Sequence, residues 1–534
     1  MCANLNTLSA GGSASDAELL RGGGGASISR STSPVLPADC EQALARSDKR
    51  YGSLREWVCG EEATALTHGD LEERLHAEGR ELLRRLYEDS LLLRAIREQR
   101  LEVVVGSDGI VRPHAERDHE RTLQTVFGEV RVGRIAYRAR GQQNLHPADG
   151  LLNLPEEKPS HGLRRLASIE STRGSFEGSS EAIVRQTGQR LHTRQLRELV
   201  CKGAQDFEAF YAQRERTVTA EDDALVLSCD GKGVVMREDA LRPQTRKKAQ
   251  ASEQKLDTRL SRGEKRNRKR IAEVTAVYEV TPAPRTPADI LPGTEEQREA
   301  ASDGPEAKNK WVSASITDDA ATAIGRMFEQ AKRRDPEHRR PWVALVDGNN
   351  HQIDQINKEA RKRKVKVTIV VDFVHVMEYL WSAAWSFFSE GDRAAERWMR
   401  EKALAVLEGD ASTVAASIRR KATTLRLDAK QRKGADRGAD YLLAKRRYLD
   451  YPTALANGWP IATGVIEGAC RHLVKDRMDI TGARWGLDGA EAVLKLRALI
   501  SNGDFDEYWR YHQAQERQKL HESRYAQAVI PQPE

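Results

Sequence analysis

The sequence predicts an α/β protein: a mixed β-sheet domain in the second half of the chain, carrying an all-helical stretch and preceded by a mainly helical N-terminal region. Three observations predict it. Beyond residue 220, apolar runs of strand length such as DALVLSCD and VKVTIVVD alternate with helical patterns. Before residue 220, apolar residues recur mostly at the 3.6-residue period of helices. From 373 to about 456 the chain is charged and helical throughout, with no strand-like run.

The 534 residues exceed what one core ordinarily fills, so two or more domains are expected. Residues 1 to about 40 are rich in Ser, Gly and Ala, with GGGG at 22–25, and read as a disordered tail. An amphipathic helix, or two, follows over 69–100, where Leu71, Leu75, Leu82, Leu86 and Leu93 form one stripe. TLQTVFGEVRVGRIAYRAR, 122–140, alternates apolar and polar residues around Gly128, as a hairpin does. EGSSEAIVRQTGQRLHTRQLREL, 178–200, reads as a helix, a turn at Gly188 and a second helix capped by Thr193. That pattern fits a helix-turn-helix presenting Arg194 and Arg197 to DNA, and it equally fits two core helices joined by a turn.

Three strands are predicted over 223–230, 271–280 and 309–316, then a helix over 320–334. A fourth strand at 341–347, a helix and a fifth strand at 365–372 complete the sheet. Between the first two strands, residues 241–270 hold 12 Lys and Arg against three acids and include Lys247 and Lys248. This is either a solvated loop or an arm that contacts phosphates. In the helical stretch, Trp381, Trp385, Phe387 and Phe388 read as core. A last helical region starts at 464, and residues 511–534 read as a C-terminal tail.

Charge and cysteines narrow the classes. The 86 basic and 80 acidic residues leave a net charge of +6, a weak pointer to an anionic partner. Six scattered cysteines without a CxxC pair indicate neither a disulfide framework nor a zinc ribbon. No apolar run approaches the roughly 18 residues of a membrane span. A cytoplasmic, nucleoid-associated protein with no membrane partner is expected.

Asp230 and Asp347 each end a predicted strand and precede a glycine, where ligands of α/β sheets gather; either aspartate alone is also ordinary turn chemistry. Glu467 lies in the first turn of the helix that follows the helical stretch. Three converging carboxylates suit a pair of divalent ions carrying out phosphoryl transfer.

In that order, SCDGKG, LVDGNNHQ, VVDFVHVMEYLW and ATGVIEGACRHLVKDRM…GARW resemble the DDE insertion-sequence transposases, specifically the ISKra-type group, over roughly residues 120–510. The resemblance implies an RNase H-like catalytic domain over 221–510 with a helical insertion at about 376–456, behind a DNA-binding region over 41–220. It implies Asp230, Asp347 and Glu467 as catalytic ligands of Mg²⁺ or Mn²⁺. Asp372 and His375 match its D-x-x-H element and are expected to support the site rather than bind metal. For His375, a purely structural hydrogen bond remains the other reading. Arg484 is expected to contact phosphate, and Trp485 to pack in the core or against DNA. The implied partners are double-stranded DNA, as terminal inverted repeats and target, and further copies of the chain in a homo-oligomer on DNA. The alternatives are a domesticated DNA-binding protein with an inactive catalytic domain, or an RNase H-type nuclease.

Overall fold

The computed structural model describes residues 36–214, 222–251, 256, 258, 261, 266–480 and 482–533. Most of the expected N-terminal tail and part of the basic stretch lie outside them. The described residues form a mixed α/β protein with two sheets. No helix among the described residues is long and apolar enough to cross a membrane.

Helices α1 (Ala38–Val58) and α2 (His68–Arg97) pack as a pair, and buried Asp89 accepts the Ser47 N–H at 2.9 Å. Thr67 caps α2, and its 30 residues form one helix. The predicted leucine stripe is only partly covered, with Leu75 and Leu86 exposed, because the hairpin covers the helix nearer its C-terminal end, at Leu91. The hairpin pairs β1 (His114–Thr125) with β2 (Gly128–Arg138), as the alternation around Gly128 predicts.

Helices α3 (His161–Arg173), α4 (Phe176–Thr187) and α5 (Thr193–Gly203) pack around Leu163, Ile183, Leu191 and Leu196. Gly188 makes the turn between α4 and α5 at φ 70°, a left-handed conformation that favours glycine. The predicted Thr193 cap is corrected: His192 occupies the cap position, and no side chain caps α5.

The second sheet has five strands: β3 (Ala224–Val235), β4 (Lys269–Val280), β5 (Ala307–Ser315), β6 (Trp342–Val346) and β7 (Val367–Val371), in the order β5-β4-β3-β6-β7. β4 runs antiparallel to β3 and β5, whereas β6 and β7 run parallel to β3. Between parallel strands the chain must cross over a sheet face, and helices α6 (Ala320–Arg334) and α7 (Asn350–Arg363) make those crossovers. The near-continuous apolar runs of β3 and β6 follow from burial on both faces.

After β7 come α8 (Phe373–Ala384), α9 (Arg393–Leu407), α10 (Ala411–Thr424) and α11 (Lys433–Lys445), then a short helix at Tyr451–Ala456. Phe387 and Phe388 pack on Trp398 as core, while Trp385 stays 49% exposed and stacks on Trp381 at 5.2 Å. Helix α12 (Gly464–Ala469) continues into one π-helical turn, Cys470–Lys475.

Helices α13 (Leu487–Ser501) and α14 (Phe505–Leu520) follow, and α14 runs on through residues 511–520, the start of the expected C-terminal tail. α13 packs on α3, α5 and β5, and α14 carries His512, wholly buried, whose Nδ1 lies 2.8 Å from Asp206 Oδ2. Arg164 on α3, also wholly buried, bonds to Glu157 and to Glu516 of α14. Tyr525 and Ile530 are buried beside the hairpin with Val104 and Tyr137. The residues read as a polar tail therefore latch the N-terminal helices to the chain's last quarter. Basic residues 243–250, predicted as loop, form a helix that begins at Pro243, where proline fits the first turn.

Candidate metal centre

The ladders align three aspartates. Ser228 pairs with Leu345, and Leu345 pairs with Val370. Asp230, Asp347 and Asp372 each lie two residues past that row, on three neighbouring strands. The Asp372 N–H donates to the Val346 carbonyl at 2.8 Å, carrying the β6–β7 ladder up to this level.

Asp230 corrects one expectation. It does not end β3: the strand continues to Val235, because β4 pairs with it along its whole length, and Asp230 faces Val274 in that ladder. What stops just before Asp230 is the pairing with β6. Its Oδ1 accepts the Gly231 N–H at 2.6 Å, and its Oδ2 accepts the Cys470 thiol at 3.2 Å. Asp347 follows β6 and turns the chain, its Oδ1 accepting the Asn349 N–H at 2.8 Å. Gly348 is required there: φ is 92°, and a Cβ would lie 2.6 Å from the Tyr441 hydroxyl.

Asp372 is wholly buried and caps α8, with Oδ1 accepting the Val374 N–H at 3.0 Å. Its Oδ2 accepts from His375 Nδ1 at 2.9 Å and from Thr463 Oγ1 at 2.6 Å. The hydrogen bond to Asp372 and its charge raise the His375 pKa to about 9, and Asp347 adds to the shift. The imidazole is therefore a cation at neutral pH.

Glu467 lies in the first turn of α12, as predicted, with Oε1 3.1 Å from Thr463 Oγ1. A hydroxyl carries one proton, and the shorter bond to Asp372 takes it. The Thr463–Glu467 contact then sets a lone pair against a carboxylate, an arrangement that a cation or a proton relieves.

Ligand atoms of Asp372, His375 and Glu467 lie within 4.8 Å of one another, and this group could hold a metal ion. Asp372 was expected to support the site from outside; the structure places it inside the group. The expected trio Asp230, Asp347 and Glu467 does not converge within that span among the described residues. Asp230 nonetheless touches Cys470, three residues beyond Glu467 and so on a neighbouring part of the same helical surface. The charges of Asp230 and Glu467 both push the Cys470 thiol pKa up, although burial is the larger cause. Four carboxylates thus surround one end of the parallel ladders.

Three contributors escape a reading of the sequence. Thr463, 3% exposed, bridges two acids, and only its place four residues before Glu467 hints at it. Tyr441, far away in sequence, donates its hydroxyl to the Asp347 carbonyl at 3.1 Å. Glu273 pairs across from Gly231, next to Asp230; burial pushes its carboxyl pKa up, and Asp230 adds to the shift.

The residues expected to contact DNA are distributed differently. Arg194, Arg197 and Arg484 line one groove. Arg194 is exposed and pairs with Glu198 at 3.1 Å, and Lys247 and Lys248 are exposed on the 243–250 helix. Trp485 packs in the core, its Nε1 donating to the Met478 carbonyl at 3.1 Å. No protein-family model matches the chain, and no curated protein matches it either.

Proposed function

We propose that this chain is a DNA transposase of the DDE insertion-sequence type, binding element ends and catalysing Mg²⁺- or Mn²⁺-dependent strand cleavage and strand transfer. The observation that carries the reading is the row of Asp230, Asp347 and Asp372 across β3, β6 and β7, with Glu467 linked to Asp372 through Thr463. The strand order supports it: three antiparallel strands followed by two parallel to the first is the arrangement expected of an RNase H-like domain, with the first and fourth strands adjacent. The helices between β7 and α12 stand where the helical insertion is expected.

The donor set fits a hard divalent cation. Such ions take oxygen ligands, and the converging group supplies two carboxylates, Asp372 and Glu467, beside His375, with Asp230 and Asp347 on the neighbouring strands. Asp372 and Glu467 would hold the metal, and Asp230 and Asp347, in the same row of strand ends, are the further acids that this reading expects to join them. When bound, it would activate the attacking water or 3′-hydroxyl and stabilise the leaving oxygen. His375 holds a proton at Nδ1 against Asp372 Oδ2, neutralising part of the local negative charge. Thr463 donates to the same oxygen, and its own hydroxyl oxygen lies 3.1 Å from Glu467 Oε1 on α12.

The test is a strand-transfer assay with the purified chain on duplexes carrying the inverted repeats that flank its gene. Joined products that need Mg²⁺ or Mn²⁺ support the transposase. Nicking without joining supports a nuclease instead.

A further inference from the structure

Two tyrosines from the helical stretch reach the ends of the parallel ladders. On α11, the Tyr441 hydroxyl donates to the Asp347 carbonyl at 3.1 Å, just past β6. In the short helix Tyr451–Ala456, the wholly buried Tyr451 donates to the Val371 carbonyl at 2.8 Å, at the last residue of β7. A carbonyl at the end of a ladder needs a donor from elsewhere, and here side chains supply it. Each carbonyl belongs to a peptide that flanks a site aspartate. The Val371 carbonyl lies in the plane of the peptide that enters Asp372, and the Asp347 carbonyl in the plane of the one that leaves Asp347 for Gly348. Holding these planes fixes the backbone dihedrals from which the two carboxylates project.

The packing behind both tyrosines is tight enough to hold them. Gly434 and Gly438 bring α11 hard against α8: a Cβ at Gly434 would lie 2.1 Å from the Ser382 carbonyl, and one at Gly438 would lie 3.0 Å from the Tyr379 carbonyl. One turn further along the same face, the Tyr441 ring stacks on Tyr379 with centroids 3.7 Å apart. Another turn on, Lys445, 5% exposed, bonds to Asn350 Oδ1 at the start of α7 and grips the far side of the Asp347 turn. Tyr451 packs edge-to-face on Phe373, the residue after Asp372, at 5.3 Å. The helical stretch therefore touches both aspartate turns through fixed side chains.

We infer that Tyr441 and Tyr451 are positioning residues, through which the helical stretch aims Asp347 and Asp372 at a shared divalent cation. The inference rests on the reading proposed above for the cation, and not for the choice of DNA as substrate. A purely structural tyrosine contributes stability wherever its hydroxyl bonds. A positioning one also sets how well the carboxylates converge. Asp347 lies outside the group that Asp372, His375 and Glu467 form, so it joins them only from a turn held in place. Cation affinity then depends on two hydroxyls that come from outside the sheet.

The experiment titrates Mn²⁺ into the full-length, metal-free chain without DNA and reads free Mn²⁺ by electron paramagnetic resonance, with urea unfolding in EDTA on the same preparations. Tyr441→Phe and Tyr451→Phe should each weaken Mn²⁺ binding about tenfold, the lower end of the ~10–100-fold cost of removing a group that orients a metal ligand. Tyr508→Phe removes a buried hydroxyl of the same kind, which donates from α14 to the Gly203 carbonyl at 2.8 Å, and should leave Mn²⁺ affinity as it is while lowering stability alike. Phenylalanine keeps each ring in its packing, and if Tyr451→Phe unfolds the chain, the half-buried Tyr441 still carries the test. Wild-type Mn²⁺ affinity in Tyr441→Phe overturns the inference, as does an equal weakening in Tyr508→Phe or a wild type that takes up no Mn²⁺. A chain that shows the expected losses of Mn²⁺ affinity yet nicks no DNA keeps the inference and loses the transposase.

Discussion

Replacing Thr463 with Val removes one hydroxyl and keeps a β-branched side chain of nearly the same size. The lost group donates a 2.6 Å hydrogen bond to Asp372 Oδ2, where both residues are buried and no water can replace it. A hydrogen bond to a charged group contributes ~1.5–3 kcal/mol, and its loss leaves a buried acceptor short of a donor. Asp372 keeps the Val374 N–H and His375, so part of the cost is recovered. We therefore expect Thr463→Val to lose ~2 kcal/mol of unfolding free energy in EDTA, with Thr463→Ser within ~1 kcal/mol of wild type. The same hydroxyl orients the acids, and removing such a supporting group typically weakens metal binding ~10–100-fold. Urea denaturation in EDTA reads the first effect, and stabilisation by added Mn²⁺ reads the second. A Thr463→Val protein with wild-type stability and wild-type response to Mn²⁺ would refute the reasoning.

Three further outcomes follow from other parts of the structure. Arg164→Met strips the buried Glu516 of its guanidinium partner and should lower stability by ~3–5 kcal/mol in urea denaturation, since breaking a buried ion pair leaves an uncompensated charge; a loss under ~1 kcal/mol would contradict the latch between α3 and α14. His146 is held down at about pKa 4, by burial first and then by Arg134, against 6.5 when unfolded. Both states are neutral above pH 6.5, and between 6.5 and 4 only the unfolded chain takes the proton, so up to ~3 kcal/mol should be lost across that window and His146→Phe should flatten the profile. Gly348→Ala forces a Cβ to 2.6 Å from the Tyr441 hydroxyl at a φ of 92°, and should lower both stability and activity by displacing Asp347; unchanged thermal unfolding would mean that the turn relaxes freely.

The sheet was legible because strands buried on both faces read as near-continuous apolar runs, as DALVLSC and PWVALV do, while the half-buried edge strand β7 still shows in the β-branched residues of VKVTIVV. The end of β3 was not, since GKGVV continues a strand only because β4 lies beside it, a partner remote in sequence. Asp347 and Asp372 look alike locally. Their separate surroundings depend on Thr463 and Tyr441, which the chain brings in from 91 and 94 residues away. Residues 511–534 looked like a polar tail because His512 and Glu516 are polar, and their burial rests on partners more than 300 residues distant. Helix 243–250 hid inside a basic run whose charge outweighed its proline start.

The central claim is that the acids at the end of the parallel ladders carry metal-dependent DNA cleavage. The most direct measurement is Mg²⁺-dependent nicking of an end-bearing duplex by purified wild type, Asp230→Asn and Glu467→Gln, with duplex binding measured on the same preparations. The account predicts that wild type nicks, that both variants bind the duplex almost as wild type does, and that neither nicks it, because each swap keeps shape and removes a ligand charge. Retained Mg²⁺-dependent nicking by either variant would contradict the account.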